Sequence, residues 1–292
     1  MDKDLKHIKF KSHKNIFFDI VDLKEFLGNN KPTSYIYKPH LVKFYAIVFI
    51  KTGSGLHTID FKEYSCVEGM ILTIGKNQIH HFHNNSNLEG KLLLFTNDFL
   101  VSYLMKIHEL RALQLFNDSF SKPILKLSAL ELEDFTRLIQ QIEIEYLETN
   151  DDFSIEIIRS QLHILIISLF RIKSKKEPIY RHKKHIDTFI KFQNLVEANV
   201  FQSTKVKFYA RELGISTKTL NTITKSIIHM NAKEMIDEIN MKQVKRLLIN
   251  TNLSIQEIAN KAGFKESSNF HNYFKRQSNT TPEAFRKGQS SY

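Results

Sequence analysis

Two stretches of this chain carry the same pattern about 50 residues apart, and that pattern limits the fold more than any other feature. The first runs from Val206 to Ile215 and then from Ser216 to Ile223. The second runs from Ile255 to Phe264 and then from Lys265 to Phe274. Each has a small residue, Ala210 or Ala259, where two helices can cross closely. Each has a glycine four residues later, Gly214 or Gly263, suited to the left-handed turn that ends a helix. An apolar pair at i and i+3 follows, Leu220 with Ile223 and Phe270 with Tyr273, and pins a second helix to the first. One helix-turn-helix pattern is weak, because any helical bundle supplies Ala, Gly and spaced Leu. Two in register are far more specific.

The capping residues agree with this reading. Ser254 with Glu257 predicts a capping box, and Asn231 with Glu234 predicts another that opens the helix joining the two units. Ser216 is placed to cap the second helix of the first unit. Thr281 and Pro282 open a final short helix, with proline where its missing N–H does no harm.

Charge sets this half apart. Residues 176–292 carry 20 Lys/Arg against 10 Asp/Glu, whereas residues 1–175 carry 22 against 21. A basic half joined to a neutral half points to a polyanionic partner; a merely solvated lysine-rich surface is the alternative. The joining helix, Ala232 to Asn250, has a predicted length of ~28 Å at 1.5 Å per residue. Successive major-groove faces of duplex DNA lie ~34 Å apart. Such a helix can hold two reading heads on adjacent turns of one face of the duplex.

At 292 residues the chain has room for two domains. The single cysteine, Cys66, excludes an internal disulfide and a multi-cysteine zinc site. The lysine-rich start lacks an apolar stretch, and the most apolar run, Leu162 to Phe170, is short against the ~20 residues of a membrane span. The expectation is a cytoplasmic protein with no membrane contact.

The neutral half divides again. Strands are predicted at Leu41 to Ile50, Leu56 to Phe61, Met70 to Ile74, Gln78 to Phe82 and Leu92 to Thr96, separated by turn signals at Thr52 to Gly55, Glu68 to Gly69, Gly75 to Asn77 and Asn84 to Asn87. Short strands at this spacing suggest a sandwich or barrel. Helical patterns follow at Phe99 to Phe116, Leu130 to Leu147 and Ser154 to Ile172. The second has a stripe of Phe135, Leu138, Ile139, Ile142 and Tyr146. The third has Ile155, Ile158, Leu162, Leu165, Ile166 and Leu169, widened by Ile157, Ile164, Ile167 and Phe170. A helix apolar nearly all round needs partners on more than one side, within the domain or in a second subunit. Lys173 to Lys184, charged and containing Pro178, reads as a linker.

Over about 185–288 the sequence resembles the AraC/XylS family of transcription regulators. The resemblance rests on both units, on the Ala259, Gly263 and Phe264 step, on Phe270 to Lys275, and on the closing Pro282, Phe285 and Arg286 pattern. Gly53 to Phe61 and Gly69 to His80 resemble, more loosely, the family's cupin-like sensing domain. His229 and Asn279 stand where the family often has glycine; Thr224 stands where it usually has an aromatic. The resemblance implies an α+β chain of two domains. Residues 1–172 would form a cupin-like β-barrel with following helices, 173–184 a linker, and 185–292 an all-α double helix-turn-helix domain. It implies a DNA-binding regulator, an activator that answers to a small-molecule effector, acts as a homodimer and works with RNA polymerase. No cofactor is expected.

Base edges are read from the N-terminal part of a recognition helix. The candidates are Lys218, Asn221 and Thr222 in the first head and Ser267, Ser268, His271 and Asn272 in the second. Asn pairs with adenine, Lys favours guanine acceptors, and Thr offers a methyl to thymine. No arginine occupies these positions, so an A·T-rich or shape-dependent site is expected. Lys225, Lys265, Lys275, Arg276 and Lys287 are the candidate phosphate contacts, while Arg286 serves either phosphate or packing.

Four histidines fall in the predicted barrel. Strand parity places His81 and His83 on the Ile79 face and His80 with Phe82 on the other. His57 and His80 are candidate effector-pocket residues; His81 and His83 read as hydrogen-bonded or surface groups. The rival reading is a metal-dependent cupin enzyme fused to a DNA-binding domain, with metal on these histidines. However, the His-x-His motif lacks its following Glu. No nucleophile triad, Gly-rich phosphate loop or paired-carboxylate motif is visible, so no catalytic residue is expected. A third reading is an RNA-binding or architectural protein without sequence preference.

Overall fold

The structure, a computed structural model, describes residues 7–8, 14, 16–28, 35–84, 87–96, 99, 114–116, 122–149, 151, 153–176, 185–264 and 266–289. It forms two compact units that divide between 177 and 178.

The first unit is built on one long strand. Its strands are β1 (His7–Ile8), β2 (Phe18–Asp22), β3 (His40–Val42), β4 (Tyr45–Ile59), β5 (Lys62–Val67), β6 (Met70–Ile74), β7 (Ile79–Phe82), β8 (Asn87–Phe95) and β9 (Ile124–Lys126). The first half of β4 lies between β6 and β8, which continue to β9 and β2. Its second half lies between β5 and β7, and β7 leads to β3 and β1. All pairings are antiparallel except β1 with β3. They form one nine-stranded sheet whose pairings, among the described residues, do not close into the expected barrel.

Sequence patterning explains why both faces of β4 are covered. Residues Ala46 to Ile50 are all buried, a continuous apolar run rather than an alternating one. Ala46, Val48 and Ile50 face a core shared with Leu72, Ile74, Leu92, Ile59 and Phe82. Ile47 and Phe49 face a second core with Ile71, Leu93 and Phe95, closed by two helices. Those helices are α2 (Ala129–Leu147) and α3 (Ser154–Lys176), which follow the short α1 (Leu23–Gly28). A capping box between Ser128 and Glu131 opens α2. Tyr146 Oη donates to the buried Asp19 Oδ1 at 2.9 Å, tying α2 to β2.

Several expectations change. Thr52 to Gly55 does not form a turn, and the strands predicted on either side of it are one strand with a bulge between Ile50 and Thr52. Gly53, at φ +93°, is required because a Cβ there would collide with the Asn87 carbonyl of β8. β3 and β4 are separate at Lys43 and Phe44. Four strands lie outside the predicted set: β1, β2, β5 and β9. β5 is mostly exposed, which explains the lack of an apolar signal. Ile155 is on the exposed side of α3, with Ile157, Ile164 and Ile167. α3 runs four residues into the predicted linker, to Lys176. Of the helix predicted at Phe99 to Phe116, residues 100–113 lie outside the described residues; Gln114–Phe116 form a 3-10 turn.

The second unit is helical: α4 (Ile186–Asn199), α5 (Val206–Glu212), α6 (Thr217–Ile228), α7 (Ala232–Asn250), α8 (Ile255–Lys261), α9 (Ser267–Ser278) and α10 (Pro282–Gln289). The joining helix α7 has the predicted limits. It starts in the Asn231–Glu234 capping box and ends in a core of Met241, Val244 and Leu248 with Ile258, Phe270 and Phe274.

Candidate nucleic-acid interface

Each half of the second unit makes the same turn by the same means. Gly214 (φ +64°) and Gly263 (φ +86°) both adopt the left-handed conformation. Both would leave room for a Cβ, so it is backbone angle that calls for glycine. The following N–H of Ile215 bonds back to Ala210 at 3.0 Å, and that of Phe264 to Ala259 at 2.9 Å. Both alanines are buried at the helix crossings. Ser216 caps α6 through Thr219 N–H at 3.0 Å, and Ser254 with Glu257 completes the capping box of α8. The recognition helices α6 and α9 end at His229 (φ 58°) and Asn279 (φ 56°), both left-handed. Each therefore takes the conformation that glycine would give more cheaply.

Buried Leu220, Ile223, Thr224 and Ile227 hold α6, while Phe270 and Phe274 hold α9. An offset of 50 residues superposes the two helices, pairing Leu220 with Phe270 and Thr224 with Phe274. Lys218, Thr222 and Lys225 are exposed, as are their counterparts Ser268, Asn272 and Lys275. Arg276 and Lys287 are exposed too, the Arg276 guanidinium 6.0 Å from the Tyr273 ring centroid. Lys265 lies outside the described residues. Sequence reasoning passed over Thr219 and Asn269, both exposed and equivalent under the same offset. The 50-residue register, applied residue by residue, is the signal that finds them.

Four of the base-reading candidates make internal hydrogen bonds. Asn221 Oδ1 accepts the Ala232 N–H at 2.9 Å, anchoring the start of α7. At the equivalent step α10 begins with Pro282, which has no N–H. The residue equivalent to Asn221 is His271, and it reaches one residue further, placing Nε2 2.6 Å from Glu283. His271 Nδ1 lies 2.7 Å from the Ser267 carbonyl and 3.2 Å from Ser267 Oγ. The carbonyl and the carboxylate each need an N–H, so the imidazolium completes this geometry. The hydrogen bond to Glu283, aided by that to Ser267, raises the His271 pKa. Thr222 Oγ1 also bonds within its helix, to the Lys218 carbonyl at 3.0 Å. Arg286 is a packing residue: Nε and Nη2 donate to the Leu248 and Leu253 carbonyls at 2.9 and 2.7 Å.

The sheet unit gathers its histidines as strand parity predicts. His57 and His80 are buried side by side, Nε2 to Nδ1 3.2 Å, with Phe82 4.2 Å from His57 between ring centroids. His40, which sequence reasoning missed, adds a ring 4.3 Å from His80. Its register with His80 was hidden because Leu41 to Ile50 read as one strand. Burial, then the neighbouring imidazoles, hold the His57 and His80 pKa values well below the ordinary range. His57 Nδ1 is buried without a hydrogen-bond partner among the described residues. His81 is buried, which leaves the hydrogen-bonded and not the surface form of the expectation, and burial lowers its pKa to about 4. His83 is half-buried, 2.9 Å from Thr58 Oγ1. Among the described residues no His, Cys, Asp or Glu group is arranged to hold a metal, and no helix is long and apolar enough to cross a membrane.

Paired helix-turn-helix units in a basic helical unit, alongside a sheet-rich unit, define a DNA-binding transcription regulator with a separate ligand-binding domain. Residues 24–165 match the AraC-like ligand binding domain and residues 209–288 a helix-turn-helix domain. The chain belongs to the AraC/XylS family. The HTH-type transcriptional activator RhaS of Escherichia coli O81 (strain ED1a) is 20% identical over 253 residues, spanning 87% of this chain and 88% of its own. Unsaturated fatty acid bound wild-type ToxT from Vibrio cholerae strain SCE256 is 20% identical, with 92% of this chain and 94% of its own covered and a TM-score of 0.41. An AraC-type regulator structure from Chromobacterium violaceum is 24% identical over 33% of this chain and 86% of its own, with a TM-score of 0.31.

Proposed function

We propose that this protein activates transcription by gripping promoter DNA with both heads, under the control of a small molecule held in the sheet unit. The observation that carries this reading is the pair of exposed faces in 50-residue register, one before and one after α7 in the chain. Lys218, Thr222, Ser268 and Asn272 read base edges, with Thr219 and Asn269 beside them. Ser267 supports His271. Asn221 and His271 hold the heads to the helices that follow, a positioning role rather than the base reading first expected. Lys225, Lys275, Arg276 and Lys287 take phosphates, and Lys265 belongs with them by sequence.

The activator RhaS supports the sign of regulation, and recruitment of RNA polymerase follows from it. The unmet His57 Nδ1 supports His57 and His80 as polar contacts for the effector. The outward row of Ile157, Ile164 and Ile167 on α3 supports a homodimer through that helix. The protein is a cytoplasmic regulator and not an enzyme on this reading, and transcription regulators among its relatives support that.

The test is selection of genomic DNA fragments by the purified full-length protein at near-physiological salt. A compact motif with two contact zones one helical turn apart is expected. Enrichment no better than random DNA, with and without cell extract as effector source, would refute it.

A further inference from the structure

A cleft of about 590 Å3 opens within the helical unit. Its walls come from three places. The segment before α5 supplies Thr204 and Lys205, α7 supplies Asn240 and the Lys233–Asp237 ion pair, and the second head supplies Phe264, Tyr273 and Arg276. The volume lies in the range of small-molecule sites, roughly 300–1,000 Å3.

Three observations describe what fits it. First, Asn240 lines the cleft, is 2% exposed, and its buried Oδ1 has no hydrogen-bond partner among the described residues. A buried acceptor left this way costs stability that a donor group would restore. Secondly, the charge is lopsided: Lys233 is neutralised by Asp237 at 2.6 Å, while Lys205 and Arg276 are exposed and form no ion pair among the described residues. Thirdly, Phe264 and Tyr273 stand 5.1 Å apart between ring centroids and present an aromatic wall.

We infer that this cleft is a second ligand site, for a small organic anion with a flat apolar body. The acid group lies between Lys205 and Arg276, the body rests on Phe264 and Tyr273, and a donor on the ligand meets Asn240. Because its walls join the segment before α5, the joining helix α7 and the second head, an occupant fixes the second head against that segment. This site is separate from the effector role proposed for the sheet unit, and its failure would leave that role standing.

The probe is 6-hydroxy-2-naphthoate, which carries a carboxylate, a flat body and a donor. It is titrated into the full-length protein without DNA and followed by calorimetry. Saturable binding at one molecule per chain is expected. Lys205→Glu and the cleft-filling Thr204→Trp should each weaken it at least tenfold, with the melting temperature of the helical unit unchanged. His57→Phe in the sheet unit should leave it unchanged. Absence of saturable binding would overturn the inference, as would binding that ignores Lys205→Glu and Thr204→Trp or that vanishes in His57→Phe. If the probe does not bind while Lys205→Glu lowers affinity for random duplex, the cleft mouth is a phosphate contact and the inference also fails.

Discussion

At the scale of single residues, the two heads show how chemistry and position diverge after a shared pattern. Asn272 is exposed and Asn221 is not free to read, although both are asparagines on recognition helices. Asn272→Ala should therefore weaken specific binding by roughly 1–3 kcal/mol and spare non-specific binding, as measured by titrating matched and random duplexes. Equal losses on both would contradict base reading by this residue. The His271–Glu283 contact makes a pH prediction. The His271 pKa is raised above its ordinary 6.5 and that of Glu283 is lowered below its ordinary 4.5. The histidine contribution is complete below pH 6.5 and is lost as pH rises through the raised value; the glutamate contribution is complete above pH 4.5 and is lost as pH falls through the lowered one. The latch is thus strongest between those two pH values, and Glu283→Gln should flatten the melting temperature of the helical unit across neutral pH. The buried histidines have the opposite sign. His57 and His80 are held neutral in the fold, whereas the unfolded chain takes up protons below 6.5. The sheet unit should lose stability as pH falls below that value, by up to about 1.4 kcal/mol per pH unit for each histidine. His80→Asn should reduce the slope in denaturant melts, with His57 and His81 supplying the remainder. A slope unaffected by that substitution would place the proton uptake elsewhere.

At the scale of elements, helix limits were legible because caps and breakers are local. Ser254, Glu257, Asn231 and Glu234 sit where their side chains close the boxes that the sequence predicts. The strands were less legible because their limits depend on partners far along the chain. Gly53 reads as a turn residue, yet it marks where β8 presses against β4. A turn and a close approach demand the same residue, and only the pairing tells them apart. The latches Asn221 and His271 were missed as such for the same reason: a polar residue on an exposed face looks alike whether it meets DNA or the next helix. The left-handed helix ends allow a direct test. His229→Gly should stabilise the helical unit by roughly 0.5–1 kcal/mol in chemical denaturation, since relief of the left-handed backbone outweighs the added freedom of the unfolded chain. Destabilisation would show that the His229 side chain contributes more than its backbone angle costs.

At the scale of the whole molecule, charge and periodicity announced two units, and the division between 177 and 178 falls inside the 173–184 stretch. What periodicity left open was the role of α3, apolar on nearly every side. Burial resolves it into an inner stripe, including Ile158, Leu162, Leu165 and Leu169, and an outer row at Ile157, Ile164 and Ile167. Ile164→Arg, exposed and away from the core, should leave the fold intact and turn a dimer into a monomer in sedimentation velocity. A wild-type protein that sediments as a monomer at every concentration would refute the proposed interface.

The long strand β4 also carries a consequence in time. It cannot be satisfied until β8, some 40 residues on, has arrived beside it, and β9 joins the sheet only through a still later segment. The helical unit asks for less: its caps and turns close within three to five residues, and its helices pack largely on near neighbours in sequence. Local contacts form fast and distant strand pairings slowly. On the ribosome the sheet unit emerges first yet matures slowly, so the reading heads gain their shape while their intended controller is still assembling.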